Sequence, residues 1–180
     1  MRSACAAGAL LLLAACAAPP VFRAPAVGVE FELSGRIAVQ YRDDAGSGNV
    51  AWRHAAHGDE MLLTSPFGQG IARLARAGDE ITLTTQDGRE FQAADAESLT
   101  DRVLGFRVPL LGLADWVRGR PAPAPAPAPT RQRADAAGRL AELEQSGWRI
   151  EYLEYEGALP SRLKLNFPGL ELRLAVSAWK

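Results

Sequence analysis

Residues 61–74 have the sequence MLLTSPFGQGIARL, in which two short apolar stretches flank a turn. Residues 61–64 and 71–74 are mostly apolar and partly alternating, as the strands of a half-buried β-sheet are. Between them, Pro66 fixes its own φ and lacks an N–H group, while Gly68 tolerates a positive φ. The segment therefore predicts a β-hairpin, which is the first indication of a mainly β fold.

Phe67 stands at the tip of the predicted turn. A phenyl ring left in water costs roughly 25 cal/mol for each Å² of apolar surface that stays exposed. Two interpretations are open at this point. Either the loop folds back and Phe67 joins the core, or the ring is exposed and contacts lipid or a partner protein.

Apolar and polar residues also alternate on both sides of this hairpin. The pattern predicts six short strands in the first half of the chain, around residues 31–41, 50–54, 61–64, 71–74, 81–84 and 91. Residues 163–167 and 170–176 alternate in the same way near the C-terminus. A meander of such strands predicts a sheet that curls into a barrel or half-barrel.

The apolar period changes after the sixth strand. Asp95 can cap a helix that ends at Gly105, and Pro109 can begin a second helix over residues 110–117. Two short helices in an otherwise β chain can cover an open barrel end. Trp116 on the second helix is interpreted either as core packing or as part of that cover.

A run of alternating proline and alanine occupies residues 121–129. This composition predicts an extended polyproline II spacer loop on the surface, without chemistry of its own.

The composition excludes several functional classes. The chain has 180 residues, 48% of them hydrophobic, and a formal net charge of −1, which predicts one globular domain that binds no nucleic acid. His54 and His57 are the two histidines, and Ser65 lies in no nucleophile-elbow motif. We therefore expect no metal site, cofactor or enzymatic activity. The acidic pairs at 43–44 and 59–60 are interpreted as solvated turn charges.

The first 15 residues predict a signal peptide, because a basic start precedes an apolar run too short to span a bilayer. The sequence LAAC that ends at Cys16 is similar to the lipobox of bacterial lipoproteins, which implies a covalent lipid on Cys16. Ala17, in place of aspartate, implies export to the outer membrane. Residues 16–30 are then a flexible tether, and residues 31–180 form the folded domain.

The chain resembles the LolB family of outer-membrane lipoproteins. Besides the lipobox, the likeness lies in residues 33–39 (LSGRIAV), 64–69 (TSPFGQ), 109–110 (PL) with Trp116 and Gly119, and 147–148 (GW). Members of that family accept lipoproteins from the periplasmic carrier LolA and insert them into the inner leaflet of the outer membrane.

The resemblance implies an unclosed antiparallel β-barrel, or half-barrel, with a short helical lid over a hydrophobic cavity. It implies that Pro66, Phe67 and Gly68 form a membrane-insertion loop. It also places a strand at residues 138–144, where the sequence alone fits a helix as well. The Gly147–Trp148 turn supports the strand, and we predict one there.

We expect the cavity to hold the acyl chains of the cargo. The candidate lining residues are Phe31, Leu33, Ile37, Val39, Trp52, Leu63, Ile81, Leu83, Leu104, Phe106, Trp116, Leu165 and Leu172. A register slip of one residue would turn the strand residues outward. The expected partners are LolA, lipoprotein acyl chains and outer-membrane phospholipid, and the protein is expected to be a monomer that faces the periplasm.

Two alternative functions belong to other functional classes. The first is a structural or scaffold lipoprotein that binds an envelope protein through a sheet edge and uses Phe67 as a hot spot. The second is a lipid-hydrolysing enzyme, which the sequence disfavours because no base stands in a motif with Ser65.

Overall fold

The computed structural model describes residue 22 and residues 28–104, 107–108 and 110–180, and it gives only the backbone at 103, 104 and 111. The predicted signal peptide, Cys16 and most of the predicted tether lie outside these residues. The strands are β1 (Val29–Tyr41), β2 (Asp44–Ala55), β3 (Gly58–Thr64), β4 (Gly70–Ala77), β5 (Glu80–Thr85), β6 (Glu90–Ala93), β7 (Arg131–Ala134), β8 (Leu140–Gln145), β9 (Trp148–Glu156), β10 (Leu159–Phe167) and β11 (Leu170–Trp179). The helices are α1 (Ala96–Leu104) and α2 (Leu110–Trp116).

The described strands form one antiparallel sheet in the order β6-β5-β4-β3-β2-β1-β11-β10-β9-β8-β7. It consists of two meanders, and β1 joins them by pairing with β11. The edge strands β6 and β7 do not pair with each other, so the described sheet does not close. The prediction of a mainly β, unclosed antiparallel half-barrel is confirmed.

Successive turns of an antiparallel meander lie at alternate ends of the sheet. The β3–β4 turn that carries Phe67 therefore shares one end with the turns at 42–43, 86–89 and 168–169. We call this the Phe67 end. The backbone N–H of Arg42 donates to the carbonyl of Gly169 at 3.0 Å, which joins two of these turns.

Both helices were predicted, and the start of α1 follows from local chemistry. The Ser98 N–H donates to the Asp95 carboxylate at 2.7 Å, so Asp95 caps α1 as expected. Trp116 ends α2 in the core, with 1% of its surface exposed. Its indole N–H donates to the Gln145 side chain at 2.8 Å, and the Tyr152 hydroxyl donates to its carbonyl at 3.0 Å.

The proline–alanine run lies mostly at the surface, but it is not the continuous extended spacer that its composition predicts. A turn interrupts it, with the Ala126 N–H donating to the Pro123 carbonyl at 3.1 Å, and Ala122 is buried. The buried Gln145 amide holds both halves of the loop: it donates to the carbonyls of Ala122 and Pro127 and accepts from the Ala122 N–H, each at 2.8 Å. A side chain distant in sequence therefore fixes this segment.

Two further differences concern the second meander. Strand β7 was not predicted, because its residues (RQRA) are all exposed and carry no alternation. Residues 140–145 form strand β8, as predicted, and not the helix that their spacing also allows. Among the described residues, no helix has the length and apolar character needed to cross a bilayer.

Candidate functional site

An apolar cavity of about 460 Å³ lies between the concave face of the sheet and the two helices. Strand alternation creates it, because every second residue of β1, β2, β3 and β11 points to this face. Eight of the predicted candidates line the cavity: Leu33, Ile37, Val39, Trp52, Leu63, Leu83, Leu165 and Leu172. The register therefore turns the apolar strand faces inward.

Three other candidates are buried outside this cavity. Phe31 packs against Trp52, with ring centroids 5.2 Å apart, and against Trp179 at 5.6 Å, in the solid part of the core. Ile81 and Trp116 border a separate cavity of about 360 Å³ beside the proline–alanine loop. The prediction that these three side chains line the larger cavity is therefore wrong: aromatic neighbours surround Phe31, and Ile81 and Trp116 face the separate cavity. The side chain of Leu104 and all of Phe106 lie outside the described residues.

Several lining residues were not among the candidates. On the sheet side they are Tyr41, Val50, Met61, Ala72, Leu74 and Leu174, and on the helix side Leu110, Leu113 and Val117. The sheet residues carry the same alternation that selected their neighbours, so a complete reading of each strand face would have found them. Leu110 and Leu113 share one side of α2, and Val117 directly follows the helix.

The cavity reaches the Phe67 end of the sheet. Tyr41, the last residue of β1, and residues 44–46, the first of β2, belong to its wall. The β1–β2 turn and the Phe67 turn lie at the same end of the sheet, so the cavity extends toward the end that carries the Phe67 loop.

A buried polar cluster lies near the opposite end. The Asp59 carboxylate accepts from the Trp52 indole at 2.8 Å and from the Arg76 guanidinium at 2.6 Å, and it lies 2.6 Å from His54 Nδ1. The interpretation of 59–60 as solvated turn charges is therefore wrong: Asp59 and Glu60 are 4% and 1% exposed. Strand β3 begins at Gly58, so both residues lie inside the strand and not in the turn, and each carboxylate pairs with an arginine of β4.

Burial by itself raises the pKa of Asp59. The hydrogen bond and charge of His54, the charge of Arg76 and the hydrogen bond from Trp52 outweigh that effect, so the pKa of Asp59 lies below its ordinary value. The carboxylate stays charged and holds three side chains from β2 and β4 together. A specific polar network therefore links β2, β3 and β4 near this end of the sheet.

The Phe67 loop is a rigid hairpin turn with an exposed aromatic tip. The Ser65 N–H donates to the Gln69 carbonyl at 2.8 Å, and the Gly68 N–H donates to the Ser65 carbonyl at 2.9 Å. Gly68 has φ +85°, a conformation that favours glycine. Asn49 on β2 donates to the Ser65 carbonyl at 3.0 Å and fixes the base of the loop.

Phe67 is 91% exposed, and this excludes the interpretation that it joins the core. Proline before it and glycine after it leave the ring no covering side chain within the loop. Ile71, at 43%, and Leu153, at 59%, are the other large hydrophobic residues exposed in the described part of the chain.

No group of three or more potential metal ligands occurs among the described residues. The candidate site consists of an apolar cavity, its helical cover and an exposed aromatic loop at the end of the sheet toward which the cavity extends.

Comparison with known proteins assigns the family. A family model described as outer membrane lipoprotein LolB matches residues 29–179. A protein of Azoarcus sp. named outer-membrane lipoprotein LolB is 39% identical over 98% of this chain and 93% of its own length. A protein of the same name from Thiobacillus denitrificans is 38% identical over 82% of this chain and 78% of its own length.

A solved structure supports the fold. The crystal structure of a LolA superfamily protein from Nitrosomonas europaea matches with a TM-score of 0.50 at 9% sequence identity, over 83% of this chain and 85% of that one. The family model covers all strands of the sheet, the helices and the Phe67 loop. The chain therefore belongs to the outer membrane lipoprotein LolB family.

Proposed function

We propose that this protein is a lipid-anchored receptor of the outer membrane that accepts lipoproteins from the periplasmic carrier LolA. It holds their acyl chains in the 460 Å³ cavity and inserts them into the inner leaflet. The observation that carries the proposal is the position of the cavity, which reaches the same end of the sheet as the exposed ring of Phe67.

The free energy of acyl burial supports a passive transfer. Each methylene group removed from water contributes about 0.8 kcal/mol, so an acylated lipoprotein needs shelter to cross the periplasm. The cavity volume falls within the range of roughly 300–1,000 Å³ that is typical of small-molecule sites. No nucleotide motif is present in the sequence, and the proposed transfer runs downhill from carrier to receptor to bilayer without catalysis.

Phe67 is the proposed delivery residue. Because its ring is 91% exposed, it contributes little to the packing of the folded domain. Its transfer into lipid is favourable by about 1.5–3 kcal/mol, the usual gain for burying a large apolar side chain. The ring would thereby bring the Phe67 end of the sheet against the inner leaflet, where the acyl chains leave.

The Phe67→Glu substitution tests this function. A lipoprotein-loaded carrier is mixed with the variant and then with liposomes, and the location of the lipoprotein is followed by flotation. We expect the variant to fold and to accept the lipoprotein, but not to release it into the liposomes. Normal release would remove Phe67 from the mechanism.

Two control variants make this test specific. Gln86→Glu places a carboxylate on another exposed turn at the Phe67 end and should leave release unchanged. Phe67→Leu keeps an apolar tip and should retain release. If Gln86→Glu also blocks release, added charge and not the missing ring is responsible.

The alternative is a scaffold lipoprotein that binds an envelope protein. The exposed Phe67 and the unpaired outer edges of β6 and β7 in the described sheet are compatible with it. The two functions differ in the cavity: a receptor binds an apolar fluorescent dye and loses the dye when lipoprotein is added, whereas a scaffold has no such competition.

A further inference from the structure

A second, outward-facing groove lies beside the Phe67 loop. It has a volume of about 520 Å³, and Pro66 of the loop forms part of its wall. Small residues border it, among them Ala38, Ser47, Gly48 and Ala175. It is distinct from the acyl cavity, because it lies on the convex face, where the polar residues of β1 and β11 point.

The charged residues that line this groove are three arginines, Arg36, Arg162 and Arg173, and no carboxylate lines it. Ala175 on β11 pairs with Arg36 on one side and with Arg162 on the other. These two arginines thus stand in one row across three strands, with Cα atoms about 10 Å apart. Arg173 lies two residues along β11, nearer the Phe67 end.

The arginines are available to an external anion. Arg36 is exposed and forms no ion pair within the described part of the chain. Arg162 and Arg173 pair with Glu154 at 3.1 Å and Glu171 at 2.6 Å, but their side chains are 59% and 66% exposed. Exposed pairs of this kind contribute little and exchange readily for a phosphate, which guanidinium groups bind in a bidentate manner.

Apolar side chains flank the three arginines. Leu153, which also lines the groove, is 59% exposed, and Phe67 stands next to Pro66 at the other side. An exposed surface with guanidinium groups between two apolar residues matches the chemistry of a bilayer surface, where phosphates lie above acyl chains.

We infer that the convex groove formed by Arg36, Arg162 and Arg173 binds the headgroup phosphates of anionic phospholipids beside the inserted Phe67 loop. Phe67 and Leu153 enter the lipid on either side of the bound headgroups. The inference deepens the proposed function, since it rests on a receptor that works at a membrane, and it specifies a headgroup site beside the loop that meets that membrane.

Vesicle binding tests the inference. All proteins are the full chain with Cys16→Ala, so that residues outside the described part contribute equally to every measurement. The triple variant Arg36→Gln, Arg162→Gln, Arg173→Gln is compared with this parent on phosphatidylethanolamine vesicles rich in phosphatidylglycerol and on phosphatidylcholine vesicles. We expect a loss of partitioning of about 10- to 100-fold on the anionic vesicles, and little change on the neutral ones.

The matched control removes three arginines from the β7–β8 edge: Arg131→Gln, Arg133→Gln and Arg139→Gln. It has the same net charge as the test variant and should bind anionic vesicles like the parent. Equal losses in both variants would overturn the inference, because a general charge effect would then explain the binding. Unchanged binding of the test variant would overturn it as well.

A single substitution keeps the test valid if the triple variant unfolds. Arg36→Gln breaks no ion pair described in the structure, and it should weaken anionic-vesicle binding about fivefold. Unchanged binding of the Arg36→Gln variant to anionic vesicles would contradict the inference. These assays contain neither carrier nor cargo, so failure of the headgroup site is distinguishable from failure of lipoprotein transfer, which the Phe67→Glu assay measures.

Discussion

The buried Asp59 carboxylate gives the sharpest prediction for stability. Replacing it with alanine removes the partner of the Arg76 guanidinium, which is itself only 9% exposed and 2.6 Å from the carboxylate. Leaving one charge of a buried pair uncompensated costs about 3–5 kcal/mol. We therefore expect Asp59→Ala to lower the free energy of unfolding by that amount, and the melting temperature by about 6–20 °C.

Urea denaturation followed by tryptophan fluorescence measures this effect, since Trp52 lies in the cluster. Asp79→Ala, at an exposed turn position, is the control and should stay close to wild type. The double variant Asp59→Ala, Arg76→Leu should be more stable than Asp59→Ala alone, because the unpaired charge is gone. A loss below about 1 kcal/mol in the single variant would mean that the pair behaves as a surface ion pair.

The same carboxylate has a defined pH dependence. Its folded-state pKa lies below the ordinary value of 3.8, so the charged form stabilises the fold at every pH above that value. This contribution is lost as the pH falls through the folded-state pKa. The difference in stability between wild type and Asp59→Ala should therefore shrink as the pH falls below about 4.

Three further predictions concern the loop, the cavity and the anchor. Gln145→Leu leaves several buried polar groups without partners, so the free energy of unfolding should fall by at least about 2 kcal/mol, and backbone hydrogen exchange in residues 121–129 should accelerate. Ala72→Phe extends a ring into the cavity and should weaken binding of an apolar dye, whereas Ala77→Phe at an exposed position of the same strand should not. Cys16→Ala should shift the protein from the outer membrane to the soluble periplasmic fraction; firm retention in washed membranes would contradict the lipid anchor.

The features that could be predicted from the sequence are those with a local cause. Alternation and turn residues identified the hairpin around Phe67, and Asp95 marked the start of α1. The exposure of Phe67 was left undecided by these residues, and the structure shows the ring to be 91% exposed.

The features that could not be predicted depend on contacts between distant segments. Gln145 folds the proline–alanine loop onto the core, although the residues of that loop alone indicate an extended spacer. Asp59 is buried because Trp52, His54 and Arg76 converge on it from neighbouring strands. Residues 131–134 form an edge strand through pairing with β8, without any apolar pattern of their own.

The pairing of β1 with β11 has a consequence for how the chain assembles. Leu33 pairs with Trp179, and the backbones of Glu32 and Lys180 exchange two hydrogen bonds of 2.9 Å. These partners lie almost a chain length apart in sequence. Each meander can therefore form by itself soon after export, whereas the pairing of β1 with β11 requires the last strand of the chain. Contacts of such large sequence separation slow folding. Until β11 pairs with β1, the apolar side chains of the concave face remain exposed to water.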